Sequence, residues 1–273
     1  MTICSVAPHQ LVPLKEIIPN YLYWQAQCGL LDTYAVQDEN GVAQAIMMAE
    51  LYGNVTELLW LWVSPSYREE GLEQILLSTL ILDGIDAGTN WLETDVPCLD
   101  EYEDITSLMI GMNGKMEQAG SLFVTTLGEV DLSRVEGFVH KEASIPLGEV
   151  ESWQLKEMLH ILHSQNIPVQ SKLITSCYDP NLSRIFCHGD TVRAMLLVEA
   201  GEHLCLSYLW CAKGWGHVLP SLLVLAMREA RNHWSSDTEL YTSTVVDSAF
   251  RLAETFLPKA RIVPVIRYRI PIG

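Results

Sequence analysis

Two segments of this 273-residue chain read as copies of one unit, which restricts the fold to an architecture that can be built twice. In the first, Tyr34–Glu50 runs into Leu58–Val63, then Gly71, an apolar run to Ala87, and Leu92–Val96. In the second, Ile185–Glu199 runs into Leu204–Trp210, then Gly214, a run to Asn232, and Leu240–Val245. One shift in numbering superimposes Ala45 on Ala194, Ile46 on Met195 and Glu50 on Glu199, and a slightly smaller one superimposes Gly71 on Gly214 and Trp91 on Trp234. Each copy is therefore a β-β-β-α-β unit with a glycine at its strand-to-helix junction.

With 49% hydrophobic and 19% charged residues the chain is globular, and its length suits two domains. The expected boundaries are a first domain over residues 1–135, a linker over 136–150 carrying Gly137, Pro146 and Gly148, and a second domain over 151–273. The apolar runs Ile75–Leu82 and Leu222–Met227 fall well short of the roughly 18 residues a membrane helix needs, so no membrane partner is expected. The first residues lack a basic start followed by an apolar stretch, and a cytoplasmic protein is expected.

The net charge of −17 is unevenly divided. Up to His140 there are 4 Lys and Arg against 21 Asp and Glu, and from Lys141 onward 13 against 13. Nucleic acid is excluded as a partner on this balance, because its affinity depends on neutralising phosphates. A polyanionic cofactor should avoid the first half and tolerate the second. Seven cysteines without a C-x-x-C pair argue against a disulfide framework or a zinc ribbon. Glu157, His160 and His163 share a helix face, where the polar edge of an amphipathic helix is favoured over a metal site, and no metal is expected.

Asn40-Gly41 signals a hairpin through a type I′ turn. Leu72, Ile75, Leu76, Thr79, Leu80 and Asp83 follow helical spacing. A helix is expected near Ile105–Gln118 and a strand near Ser121–Val130. In the second half the pattern predicts a helix capped by Ser152, a helix near Val218–Asn232, another near Asp247–Phe256, and a terminal strand Ile262–Ile270 completing that domain. Trp60 and Trp62 share a strand face and read as core. The fold class is α/β with mixed sheets flanked by helices.

A strand, a glycine turn and a helix N-terminus together make an anion site, since unpaired N–H groups and the helix dipole favour negative charge. The second junction, Cys211-Ala212-Lys213-Gly214-Trp215-Gly216-His217, carries two glycines, a lysine and no acid. The first, Arg68-Glu69-Glu70-Gly71-Leu72-Glu73, carries three carboxylates. Gly214 and Gly216 also admit a packing role, letting strand and helix approach closely, and Arg68 admits pairing with Glu69 or Glu70.

The segment LLWLWVSPSYREEGLEQILLSTLI resembles the motif (Gln/Arg)-x-x-Gly-x-(Gly/Ala) of the GNAT superfamily of acyl-CoA-dependent N-acyltransferases, with Val63, Pro65, Arg68 and Gly71 in place. The resemblance covers roughly residues 33–130 and 183–270 and implies two GNAT-like domains, each a twisted mixed β-sheet flanked by helices, with acetyl-CoA or another acyl-CoA as co-substrate. It implies that the turn backbone holds the pyrophosphate. Glu73 stands where Gly or Ala belongs, and two like charges about 4 Å apart repel by about 4 kcal/mol at an effective dielectric near 20. The cofactor is therefore assigned to the second half, with Leu209, Cys211, Lys213, Gly214, Trp215, Gly216 and His217 as its binding residues.

Many GNATs place a tyrosine on the helix after the fifth strand, in a pattern like N-P-A-A-x-R-L-Y-E-K-x-G-F. The segment Asp247–Phe256 resembles it but has Ala253 at the tyrosine position, and Met116 occupies that position in the first copy. Tyr241, beside the expected thioester path, becomes the candidate catalytic residue, with Tyr208 and His217 as further polar groups. Two functions remain open: N-acyl transfer to a small amine from the second half, or a non-catalytic GNAT-like protein that binds acyl-CoA or a protein partner. The acceptor and the oligomeric state are not specified by sequence.

Overall fold

A computed structural model describes residues 1–27, 29–99, 102–133, 144–165, 174–244 and 247–273. The first part contains β1 (Thr2–Ser5), α1 (Asn20–Gln27), β2 (Asp32–Gln37), β3 (Ala43–Tyr52), β4 (Val55–Val63), α2 (Leu72–Asp86), β5 (Trp91–Pro97) and α3 (Glu103–Gly111). Then come β6 (Lys115–Thr126), β7 (Ile145–Pro146), α4 (Ser152–Ser164), α5 (Ile174–Cys177), β8 (Arg184–His188), β9 (Thr191–Ala200) and β10 (Leu204–Cys211). The chain ends with α6 (Leu219–His233), β11 (Glu239–Thr244), α7 (Asp247–Phe256) and β12 (Arg261–Pro271). None of the described helices is long and apolar enough to cross a membrane.

The chain divides into two compact units, one comprising Met1–Ala119 with Pro264–Gly273 and the other Gly120–Val263. In unit 1 the strands run in the order β1-β2-β3-β4-β5-β12, and in unit 2 in the order β6-β11-β10-β9-β8-β7. The β4–β5 and β10–β11 neighbours are parallel, and the other described pairs within each unit are antiparallel. The strand expected to close the second domain thus pairs with β5 instead. Ile266, Tyr268 and Ile270 pack into the core of unit 1, and Arg267 and Arg269 meet the carboxylates of Asp95 and Glu93 on β5. Alternation marks a strand but not its partner.

Helix α2 buries Leu72, Leu76, Leu77 and Leu80 on the sheet, while Ile75, within the expected stripe, lies on the solvent side. Helix α6 buries Leu222, Leu223, Val224, Ala226, Met227 and Ala230 in the same way. Several local expectations change. Helix α3 ends at Gly111, so Met116 and Gln118 lie in β6. The first hairpin forms, but of Asn40-Gly41 only Gly41 has positive φ, because Asp38 Oδ1 accepts the N–H groups of Asn40 and Val42 in a wider loop. Helix α4 is capped by Glu151, whose N–H donates to Gln154 Oε1 at 2.7 Å, and not by Ser152. Trp60 and Trp62 are half-buried against the core formed by the N-terminal segment.

Candidate functional site

The duplication is sharpest in the backbone. Pairing of β3 with β4 passes from Met48↔Trp60 to Ala49↔Leu58 and leaves Leu59 as an extra residue. Pairing of β9 with β10 passes from Leu197↔Tyr208 to Val198↔Leu206 and leaves Ser207. Such a bulge bends its strand and increases the local twist. In both units the parallel neighbour parts just before it. The β4–β5 pairing ends at Glu57↔Glu93, and the β10–β11 pairing ends at Cys205↔Tyr241. Each unit therefore holds a wedge between two diverging strands, with Glu50, Glu57 and Glu93 in one row at its apex and Glu199, Cys205 and Tyr241 in the equivalent row.

Strand β10 leads from its wedge into the glycine turn. There Trp215 N–H donates to Ala212 O at 3.0 Å and Val218 N–H to Trp215 O at 3.1 Å. Lys213, Gly214, Gly216 and His217 are exposed. Gly214 has φ +89°, a conformation glycine adopts without strain. A Cβ on either glycine would meet no atom within 4 Å, which removes close packing as the reason for them. The Trp215 indole packs toward β8 and β9, 4.9 Å from His188, 5.7 Å from Phe186 and beneath the Arg193 guanidinium, with His217 stacked on it at 5.6 Å. Leu209 and Cys211 turn their side chains into the core of unit 2, so only their backbone remains for a ligand in the wedge.

The two turns are not superposable residue by residue. Gly71 is itself the N-cap of α2 with φ +75°, whereas the N-cap of α6 is Val218, with a 3-10 turn at Gly216–Val218 before it. The superposition of Trp91 on Trp234 fails with it, since Trp91 opens β5 and Trp234 caps the end of α6. Around Gly71, the Gln74 amide oxygen would lie 2.7 Å from an added Cβ, and Glu69, Glu70 and Glu73 surround the helix start. Arg68 is exposed and forms no ion pair among the described residues, so the expected pairing with Glu69 or Glu70 is absent.

The apex of unit 1 is filled by charge. Arg267 holds Asp95 in a bidentate pair at 2.7 and 2.8 Å, and Arg269 pairs with Glu93 at 2.6 Å while lying 4.3 Å over the Trp91 ring. Burial, reinforced by Asp95 and Glu50, pushes the Glu57 carboxyl up to about 7. The apex of unit 2 is less charged. Ser207 Oγ donates to Glu199, whose carboxyl burial pushes up to about 7, and the Cys205 thiol is pushed up to about 12 by burial and by Glu199. The Tyr208 hydroxyl is buried with no hydrogen-bond partner among the described residues, and burial pushes it up to about 12. Tyr241 donates to Glu239 at 2.5 Å and sets its ring edge-on to His203 at 4.9 Å.

Sequence reasoning passed over Glu199, Ser207 and Glu57, although the superposition of Glu50 on Glu199 already pointed to the row. Ala253 is buried, as the sequence comparison placed it on α7. Glu157 accepts Val192 N–H at 2.9 Å, and no group of three metal-ligating side chains occurs among the described residues.

Solved structures of GNAT proteins share this arrangement at the level of fold. The chain superposes on a tandem GNAT protein from the clavulanic acid biosynthesis pathway with a TM-score of 0.67 at 12% identity, over 100% of this chain and 98% of that one. It matches a protein from Pyrococcus horikoshii proposed to be an acetyltransferase at 0.59 and 12%, over 99% and 89% of the two chains. A GCN5-related N-acetyltransferase from Sphaerobacter thermophilus gives 0.53 and 14%, over 99% and 96%. No protein-family model and no curated protein sequence matches the chain.

Proposed function

We propose that the chain is a tandem pair of GNAT-like domains in which unit 2 binds acetyl-CoA or a related acyl-CoA and transfers its acyl group to a small amine in the cytosol. The observation that carries the assignment to unit 2 is the contrast between the wedges. In unit 2 the strand past the apex leads to a turn free of acidic residues, with Gly214 and Gly216 open to solvent. In unit 1 the apex holds two Arg–carboxylate pairs and the turn carries three carboxylates. A thioester lying between β10 and β11 would reach Tyr241, here assigned the role of acid or orienting group for the departing thiolate, from a pyrophosphate held by the backbone of Lys213–His217.

Calorimetry with acetyl-CoA tests this directly. The full chain should bind, Gly216→Asp should abolish binding by placing a carboxylate in the turn, and Glu73→Gly should leave binding intact. Loss of binding on changes around Gly71, with Gly216→Asp silent, would move the cofactor to unit 1. Binding without thiol release across a panel of amines would leave the non-catalytic alternative.

A further inference from the structure

Glu199 sits on β9 directly across from Cys205, in the row that ends at Tyr241 on β11. Adjacent strands are about 4.8 Å apart, so Glu199 and Tyr241 flank the apex from two strands about 10 Å from each other. Ser207, the bulged residue, holds the Glu199 carboxylate through its hydroxyl. The side chains of Leu204, Leu206 and Leu209 face the helix-covered core, which places Glu199, Cys205 and Ser207 on the opposite face of the sheet. The Tyr208 hydroxyl, on the same strand as Ser207, is buried and has no hydrogen-bond partner among the described residues.

On this geometry, and resting on the acyl-transfer reading above, we propose that Glu199 is the general base that takes a proton from the acceptor ammonium, with Ser207 as its positioning residue. The proton leaves nitrogen for the Glu199 carboxylate and passes to solvent. The freed lone pair forms the C–N bond at the thioester carbonyl. The C–S bond then breaks with its electron pair on sulfur. The second departing N–H proton balances the proton taken up by the thiolate, giving amide, free thiol and one released proton. The groups acting on the Glu199 carboxyl fit a base of this kind. Burial raises it, the Ser207 hydroxyl on β10 lowers it, and Cys205, Tyr208 and Tyr178 around it are neutral at pH 7, with no cation among them.

The test compares wild type, Glu199→Gln, Ser207→Ala and, as a control outside this apex, Glu57→Gln. Glu199→Gln should keep its affinity for acetyl-CoA within about twofold, lose about 10²–10⁴-fold in turnover, and flatten the rising limb of the pH–rate profile near pH 7. Ser207→Ala should move that limb to higher pH, since it removes a hydrogen bond to the ionised form. A separate readout, the ¹³C titration of the Glu199 carboxyl, should show a transition near pH 7 that is missing in Glu199→Gln. An unchanged profile in Glu199→Gln, or titration of Glu199 in the ordinary glutamate range, would overturn the proposal. Wild type that fails to bind acetyl-CoA would instead overturn the acyl-transfer reading and this assignment together.

Discussion

Replacing Glu57 by Gln should stabilise unit 1 at alkaline pH and do little at acid pH. Burial on β4, with Asp95 and Glu50 as like charges beside it, lifts the Glu57 carboxyl from 4.5 to about 7 in the folded chain, against the pull of Arg267 and Tyr52. A carboxyl raised in this way binds its proton more tightly when folded than when unfolded. Below pH 4.5 both states are protonated and there is no penalty, while between 4.5 and about 7 the unfolded state ionises first and stability falls as pH rises. Each tenfold change in proton affinity is worth about 1.4 kcal/mol, so the folded state carries a penalty of about 1 kcal/mol at pH 5 and about 3 kcal/mol above pH 8. Glutamine keeps the shape of the protonated acid and carries no such penalty. Urea unfolding at pH 5 and pH 8.5, read by amide exchange in β4 and β5 so that unit 1 alone reports, should therefore separate mutant and wild type mainly at the higher pH. Denaturant slopes of about 1–3 kcal/mol/M turn the difference into a midpoint shift of about 1 M or more. A mutant no more stable than wild type at pH 8.5, or a gap that does not change with pH, would refute the reasoning.

Ile270→Ala should destabilise unit 1 by about 2–5 kcal/mol, because the side chain is buried in that core; exchange protection in β5 should fall while that in β11 holds. Gly214→Ala should cost about 1 kcal/mol at its positive φ, whereas Gly216→Ala should fold with unchanged stability, as thermal melts of the two would show. Tyr241→Phe should lower turnover at saturating acetyl-CoA by about tenfold or more, and an unchanged rate would remove Tyr241 from the reaction.

The elements of the fold were legible because their periodicities are strong. Leu72, Leu76 and Leu80 repeat at helical spacing, and Ala45–Glu50 recurs as Ala194–Glu199. The partner of β12 was not legible, because Ile266, Tyr268 and Ile270 alternate as any half-buried strand does, and the complementarity of Arg267 and Arg269 to Asp95 and Glu93 appears only once the register is known. The expected continuation of the helix to Gln118 failed for a related reason. Gly111 and Gly114 interrupt the helical pattern after α3, and the residues beyond them follow a strand whose pairing lies far along the sequence. At the junctions, glycine count suggested an equivalence that the chain path contradicts, since Gly71 caps its helix and Gly214 lies four residues before the Val218 cap.

The backbone and the side chains of the two wedges carry different information. Both units possess the bulge and the parting strands, so this geometry belongs to the fold and cannot by itself say which unit reacts. The side chains in the equivalent rows can. Glu57 and Glu93 in unit 1 correspond to Cys205 and Tyr241 in unit 2, and Leu59 corresponds to Ser207. Each exchange removes charge or adds a hydrogen-bonding hydroxyl on the side of unit 2. The one residue common to both rows, Glu50 or Glu199, consequently acts in different surroundings. Glu50 faces a second raised carboxyl in Glu57 beside the Arg267–Asp95 pair, where a cationic amine would compete with an arginine already in place. Glu199 faces a hydroxyl and a neutral thiol, and among the described residues no cation acts on its carboxyl. On the acyl-transfer reading, the equivalent carboxylate therefore stands beside established Arg–carboxylate pairs in unit 1 and beside uncharged groups in unit 2, which is the setting that suits a base for an incoming ammonium.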